Sequence, residues 1–166
     1  MPQVLVCPFC REEVGENDRY VMTPRDQYGF EKRVHVECLP SGTHLRVLGP
    51  PIHHEGTYVG PLIPSGEDVI HSDKPEGGIL SHFDEFGGGG RVEIVALPRS
   101  PEEGREIVRR AIATLGVRYD LLGINGLNCE QAANFAKKAE AISPTLRVVV
   151  GVGVAVGLLW LFGREN

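Results

Sequence analysis

The placement of cysteine constrains this chain more than any other feature. Three of its four cysteines fall in the first 38 residues, as Cys7-Pro8-Phe9-Cys10 and His35-Val36-Glu37-Cys38, and Cys129 stands apart. A C-x-x-C pair and an H-x-x-C pair separated by 24 residues offer four soft or borderline donors, each pair chelating from a single turn. That is the donor set tetrahedral zinc prefers, so a structural zinc ion on Cys7, Cys10, His35 and Cys38 is expected. The alternatives are a redox C-x-x-C or a chance pairing with His35. A redox motif belongs to a thioredoxin-like βαβ unit, which this segment is too short to hold.

Between the two pairs, "RYVM" and "FEKRV" have strand composition around the turn-forming "TPRDQYG", and His35 would open a short helix. This order resembles a treble-clef zinc finger. A RING domain would need eight ligands for two metals, and only four candidates exist. The expected organisation is a zinc-binding module over residues 1–45, a Pro- and Gly-rich linker over 38–51, a main domain over 50–142 and an apolar tail over 143–166. At 166 residues the chain is long enough to bury a core. Its formal charge of -5 and lack of a long basic run argue against a nucleic-acid surface. The opening "MPQVLVCPFC" carries no charged, apolar leader, so a cytoplasmic domain is expected.

In the main domain, "GTYVG", "DVIH" and "RVEIVAL" read as short strands of an antiparallel sheet, with "FGGGG" as a flexible loop. "SPEEGREIVRRAIATLG" is a helix: Ser100 and Glu103 form a capping pattern, Pro101 takes the first helical position, and Ile107, Val108, Ala111, Ile112 and Leu115 share a face. A second helix starts at Asn128 as N-cap, with Gln131 three residues on. The fold class is therefore α+β.

Cys129 falls in the first turn of that second helix. The free N–H groups and the helix dipole there favour an anion, so a lowered thiol pKa and a nucleophilic role are expected. An ordinary thiol is only a few per cent ionised at neutral pH, so a neighbouring imidazole is needed. His54 and His71 occupy strand positions where both rings can face one sheet edge. His44 and His82 lie in linker or loop contexts and read as solvated surface residues.

"HEGTYVG" (54–60), "DVIH" (68–71) and "NCEQAANFA" (128–136), in this order, resemble the signature of the lecithin:retinol acyltransferase-like family, a permuted branch of the papain-like superfamily that includes NlpC-type peptidases. The resemblance covers roughly residues 50–145. It implies a permuted papain-like antiparallel sheet packed with helices, Cys129 as nucleophile, His54 as its base and His71 as the residue that orients and polarises His54. Gln131 stands where a histidine is common in the family, the stretch from His54 to His71 is longer than in its shorter members, and His53 beside His54 leaves a choice of imidazole. Strand alternation sends the two neighbours to opposite faces, so only one can serve.

The resemblance implies acyl transfer or hydrolysis through a Cys129 thioester, with a lipid acyl group as substrate. An amide hydrolase or peptidase would use the same three residues, and a noncatalytic membrane-tethered adaptor would use only the zinc module, which could also engage a protein partner. The tail holds fifteen uncharged, almost wholly apolar residues from Val148 to Phe162, short for a bilayer-spanning helix unless extended back to Ile142. Lys137, Lys138 and Arg147 precede it, as expected of an anchor that keeps the domain cytoplasmic.

Overall fold

The computed structural model describes residues 5–49, 53–60, 66–120 and 126–138. The expected tail, with its apolar stretch 148–162, lies outside the described residues. The chain is α+β. Its strands are β1 (Tyr20–Met22), β2 (Arg33–His35), β3 (Thr43–Leu48), β4 (His54–Tyr58), β5 (Val69–Asp73), β6 (Gly77–Ser81) and β7 (Arg91–Ala96). Its α-helices are α1 (Phe83–Gly87), α2 (Pro101–Ile112) and α3 (Cys129–Lys138), with one 3-10 turn at Val36–Cys38. Among the described residues no helix is long and apolar enough to cross a membrane.

The strands form one seven-stranded sheet in the order β2-β1-β7-β3-β4-β5-β6. The expected all-antiparallel sheet is corrected to a mixed one, because β1 meets β7 in parallel through the single pair Met22 and Glu93. Every other pairing between these strands is antiparallel among the described residues.

The stretch read as a linker contains β3, which runs between β4 and β7. Pro40, Gly42, Gly49, Pro50 and Pro51 frame "THLRVL" so closely that turn signals mask a strand of only six residues. Gly42 is essential to this arrangement. It adopts a left-handed φ of +90°, and a Cβ there would stand 2.8 Å from Gly104 Cα, where the entry to β3 touches α2.

Strand alternation gives the sheet two unlike faces. On one, Leu45, Tyr58, Val69, Val92 and Ile94 pack with Phe83 and Phe86 of α1 and with Cys7, Val14, Val21, Val34 and Val36 from the N-terminal segment. On the other, Ile70 and Val59 pack against Ile107, Val108 and Ala111 of α2 and Ala136 of α3. Asp68 joins the first layer together: it accepts hydrogen bonds from Arg19 at 2.5 Å and from the Phe83 N–H at 2.6 Å.

The "FGGGG" tract is not wholly a loop. Phe86 and Gly87 end α1, and Gly88, at φ 53°, caps it in the left-handed conformation before β7 begins at Arg91. That short helix sets Phe86 under β4 and β5. A Cβ at Gly56 would come within 2.8 Å of the Phe86 ring, so the bare glycine is what admits it.

Candidate functional site

Two clusters of reactive side chains emerge. The first is N-terminal. One donor atom from each of Cys7, Cys10, His35 and Cys38 lies within 4.8 Å of the others, a set that could hold a metal ion. The turn carrying the first pair closes through Arg11 N–H to Cys7 O at 3.0 Å, with Arg11 at a positive φ of 67°. The 3-10 turn Val36–Cys38 presents the second pair.

Three thiols and an imidazole are donors that a soft or borderline cation takes, and the four are close enough to share one. Cys10 Sγ stands 3.3 Å from His35 Nδ1, while His35 Nε2 faces Asp18 Oδ2 at 3.4 Å. A carboxylate behind the non-ligating nitrogen fixes the tautomer in which Nδ1 offers its lone pair. Asp18 is itself positioned by the Gly15 N–H at 2.7 Å. Without a cation the thiols compete for charge. Burial, hydrogen bonds to Cys10 and Cys7 and the charges of both push Cys38 up to about 12, whereas backbone N–H groups of Cys10, His35 and Phe9 outweigh burial and bring Cys7 to about 6. A bound cation relieves this conflict by letting all three ionise.

The second cluster gathers at β4, β5 and α3. Asn128 caps α3 as its sequence suggests: Gln131 N–H donates to Asn128 Oδ1 at 2.8 Å and Asn128 N–H donates to Gln131 Oε1 at 3.1 Å, a reciprocal capping box. Cys129 then occupies the first helical position, 7% exposed. Its thiol lies 3.8 Å from the carbonyl oxygen of His53. The expected lowering of its pKa is reversed. Burial pushes the thiol up, the Glu55 carboxylate adds to this, and the N–H groups of Glu55 and Glu130 recover only part of the shift.

His54 and His71 lie side by side, on the face covered by Phe86. His54 Nε2 approaches His71 Nδ1 at 2.7 Å, and His71 Nε2 approaches Ser81 Oγ at 2.9 Å. The two rings meet edge to face at 4.7 Å. Burial lowers the pKa of both, and the neighbouring His54 helps bring His71 to about 4, so both are neutral at pH 7. In the tautomer where His54 Nε2–H donates to His71 and His71 Nε2–H donates to Ser81, His54 Nδ1 keeps a free lone pair. No hydrogen bond occupies Nδ1 or joins the Cys129 thiol to either imidazole among the described residues.

The remaining histidines divide clearly. His53 is exposed, and its Nδ1 faces the Gly49 N–H at 3.5 Å. His82 is exposed where α1 begins. His44, read as solvated, is instead 5% exposed, because β3 is an inner strand. It meets Glu55 Oε2 through Nε2 at 2.9 Å, while Arg46 grips Glu55 Oε1 through Nε at 2.9 Å and Nη2 at 2.6 Å. Burial opposes ionisation of Glu55, and these partners more than offset it. Glu55 shares the strand face of His53, on the side from which α3 approaches, and its own N–H favours the thiolate.

Sequence reasoning missed Ser81, Phe86, Asp18 and the His44–Glu55–Arg46 cluster. Glu55 was visible inside "HHEG", between the candidate histidine and the strand glycine. Ser81 was not, because β6 has two glycines among its five residues and little strand signal. Comparison of the chain with protein-family models and with curated proteins returned no match.

Proposed function

We propose that this protein is a cysteine-dependent acyltransferase or acyl hydrolase with a permuted papain-like site and a structural zinc module. The observation that carries the reading is the 2.7 Å contact of His54 with His71, beside a Cys129 thiol that touches the backbone carbonyl of the preceding residue, His53. The thiol reaches β4 from the α3 side while the His54 ring lies on the Phe86 side, so the proposed transfer requires the two to meet around the start of β4.

In the proposed step His54 Nδ1 takes the thiol proton as sulfur attacks the acyl carbon. The tetrahedral intermediate expels the ester oxygen, which receives the proton back from the imidazolium. The thioester on Cys129 then passes its acyl group to water or another acceptor. His71 accepts the His54 Nε2–H and is a positioning residue, with Ser81 behind it. The resting pair is a neutral thiol and a neutral imidazole, so this is general-base catalysis rather than attack by a standing thiolate. Zinc on Cys7, Cys10, His35 and Cys38 supplies cross-linking to a segment too small to fold on its own core. A tail anchored in the bilayer would present lipid acyl groups as substrate.

The test is intact-mass analysis after incubation with phospholipid and soluble acyl donors. The wild type should gain one acyl mass on Cys129, Cys129→Ser should gain none, and His54→Ala should slow acylation by a factor on the order of 100 to 10,000. An unacylated Cys129 with every donor overturns the enzyme reading and leaves a zinc-bearing adaptor.

A further inference from the structure

The hairpin between β1 and β2 ends in a turn built for display. Asp26 Oδ1 accepts the N–H groups of both Tyr28 and Phe30 at 2.9 Å, and Asp26 N–H returns a bond to Phe30 O at 2.9 Å. Below the turn, Thr23 and Lys32 exchange hydrogen bonds: Thr23 N–H donates to Lys32 O and Lys32 N–H to Thr23 Oγ1, each at 2.9 Å. On this clamped support Tyr28 is 74% exposed and Phe30 67%. Two large rings held in water on a rigid turn do nothing for the core, and rigidity removes most of the entropic cost of using them elsewhere.

The cations nearby point to one occupant. Lys32 is exposed, Arg33 lies with its guanidinium 4.5 Å above the Tyr20 ring, and Glu31 is neutralised by Arg25 and Arg91. Fully covered, two aromatic side chains supply at most about 500 Å², short of the roughly 800 Å² each partner gives to a standard protein interface. A lipid–water interface asks for less: a few aromatic rings at headgroup depth with basic side chains beside them. The pairing of Glu31 with Arg91 ties the hairpin to the first residue of β7.

We infer that the Tyr28–Phe30 turn is a membrane-docking element that inserts its two rings among phospholipid headgroups and seats the protein on an acyl-bearing surface. The geometry stands without the thioester reading, and only its use in lipid acyl transfer rests on that reading.

The experiment uses full-length, zinc-loaded protein with vesicles of phosphatidylcholine and phosphatidylserine. The photoreactive residue p-benzoylphenylalanine replaces Tyr28, Phe30 or, as control, Ile112, which is apolar and 45% exposed on α2 across the sheet. Positions 28 and 30 should label phospholipid well above position 112. Labelling of another protein copy, or equal lipid labelling at all three positions, overturns the proposal. In parallel, Tyr28→Ser with Phe30→Ser should slow acylation of Cys129 from vesicle lipid about 100-fold, roughly tenfold per ring, and leave acylation by a water-soluble short-chain thioester unchanged. Unchanged transfer from vesicles overturns the docking role. If neither donor acylates Cys129 yet positions 28 and 30 still label lipid, the thioester reading falls and the docking element stands.

Discussion

His54 Nε2 meets His71 Nδ1 at 2.7 Å with both rings 5.3 Å from Phe86, so two imidazoles share a seat that favours their neutral forms. The unfolded chain holds its histidines near pH 6.5, whereas burial and the adjacent ring bring His71 to about 4. Between these values the unfolded state binds more protons, so stability rises with pH, is fully present above about 6.5 and is lost below about 4. The difference amounts to about 3 kcal/mol. Urea unfolding at pH 7 and pH 4.5 should show a steeper loss in the wild type than in His71→Asn. Equal slopes in the two proteins would place the charge-sensitive group elsewhere.

The Cys129 thiol, raised by burial and by Glu55, should alkylate slowly at pH 7 and keep gaining rate past pH 9. Peptide mapping after timed exposure to iodoacetamide reads this directly. A rate already at its plateau by pH 7 would mean that the helix N-terminus outweighs burial.

At the N-terminal cluster, purified protein should carry about one equivalent of zinc, and a chelator should unfold the segment selectively. Asp18→Asn removes the carboxylate behind His35 and should weaken metal binding about 10- to 100-fold without abolishing it. Metal analysis with competitive chelation measures both. Zinc retained after Cys7→Ser with Cys38→Ser would refute the ligand assignment.

Glu55→Ala should be among the most destabilising single changes in the sheet, on the order of 3 to 5 kcal/mol, because it strands the Arg46 charge and the buried His44. Denaturant unfolding compared with Glu55→Gln separates loss of charge from loss of the whole group. A cost below about 1 kcal/mol for the alanine variant would show that water reaches the cluster.

Asn128→Ala and Gln131→Ala should each cost about 1 kcal/mol. The double variant should cost less than the sum, since either change alone dismantles the reciprocal box. Full additivity in unfolding experiments would deny that the two side chains act together.

Much of the architecture follows from residues close together in the chain. The spacing within each Cys and His pair, the Asn128 and Gln131 offset, the Ser100 cap with Pro101 behind it and the Ile107, Val108 and Ala111 part of the apolar face of α2 are local patterns, and the structure contains each of them, whereas Ile112 and Leu115, expected on the same face, are exposed. Their physics is short-ranged: a turn chelates, a side chain reaches an N–H three residues on, and a stripe recurs at the helical period. What tertiary structure alone decided is burial. Whether "THLRVL" links or pairs depends on β4 and β7 lying on either side. Whether His44 is wet depends on the same strands, and Phe86 reaches the histidine pair only because α1 folds back under Gly56. The charge state of Cys129 turned on this too, for the helix start that favours a thiolate is written locally, while the desolvation that opposes it arises when α3 closes on a strand more than seventy residues away.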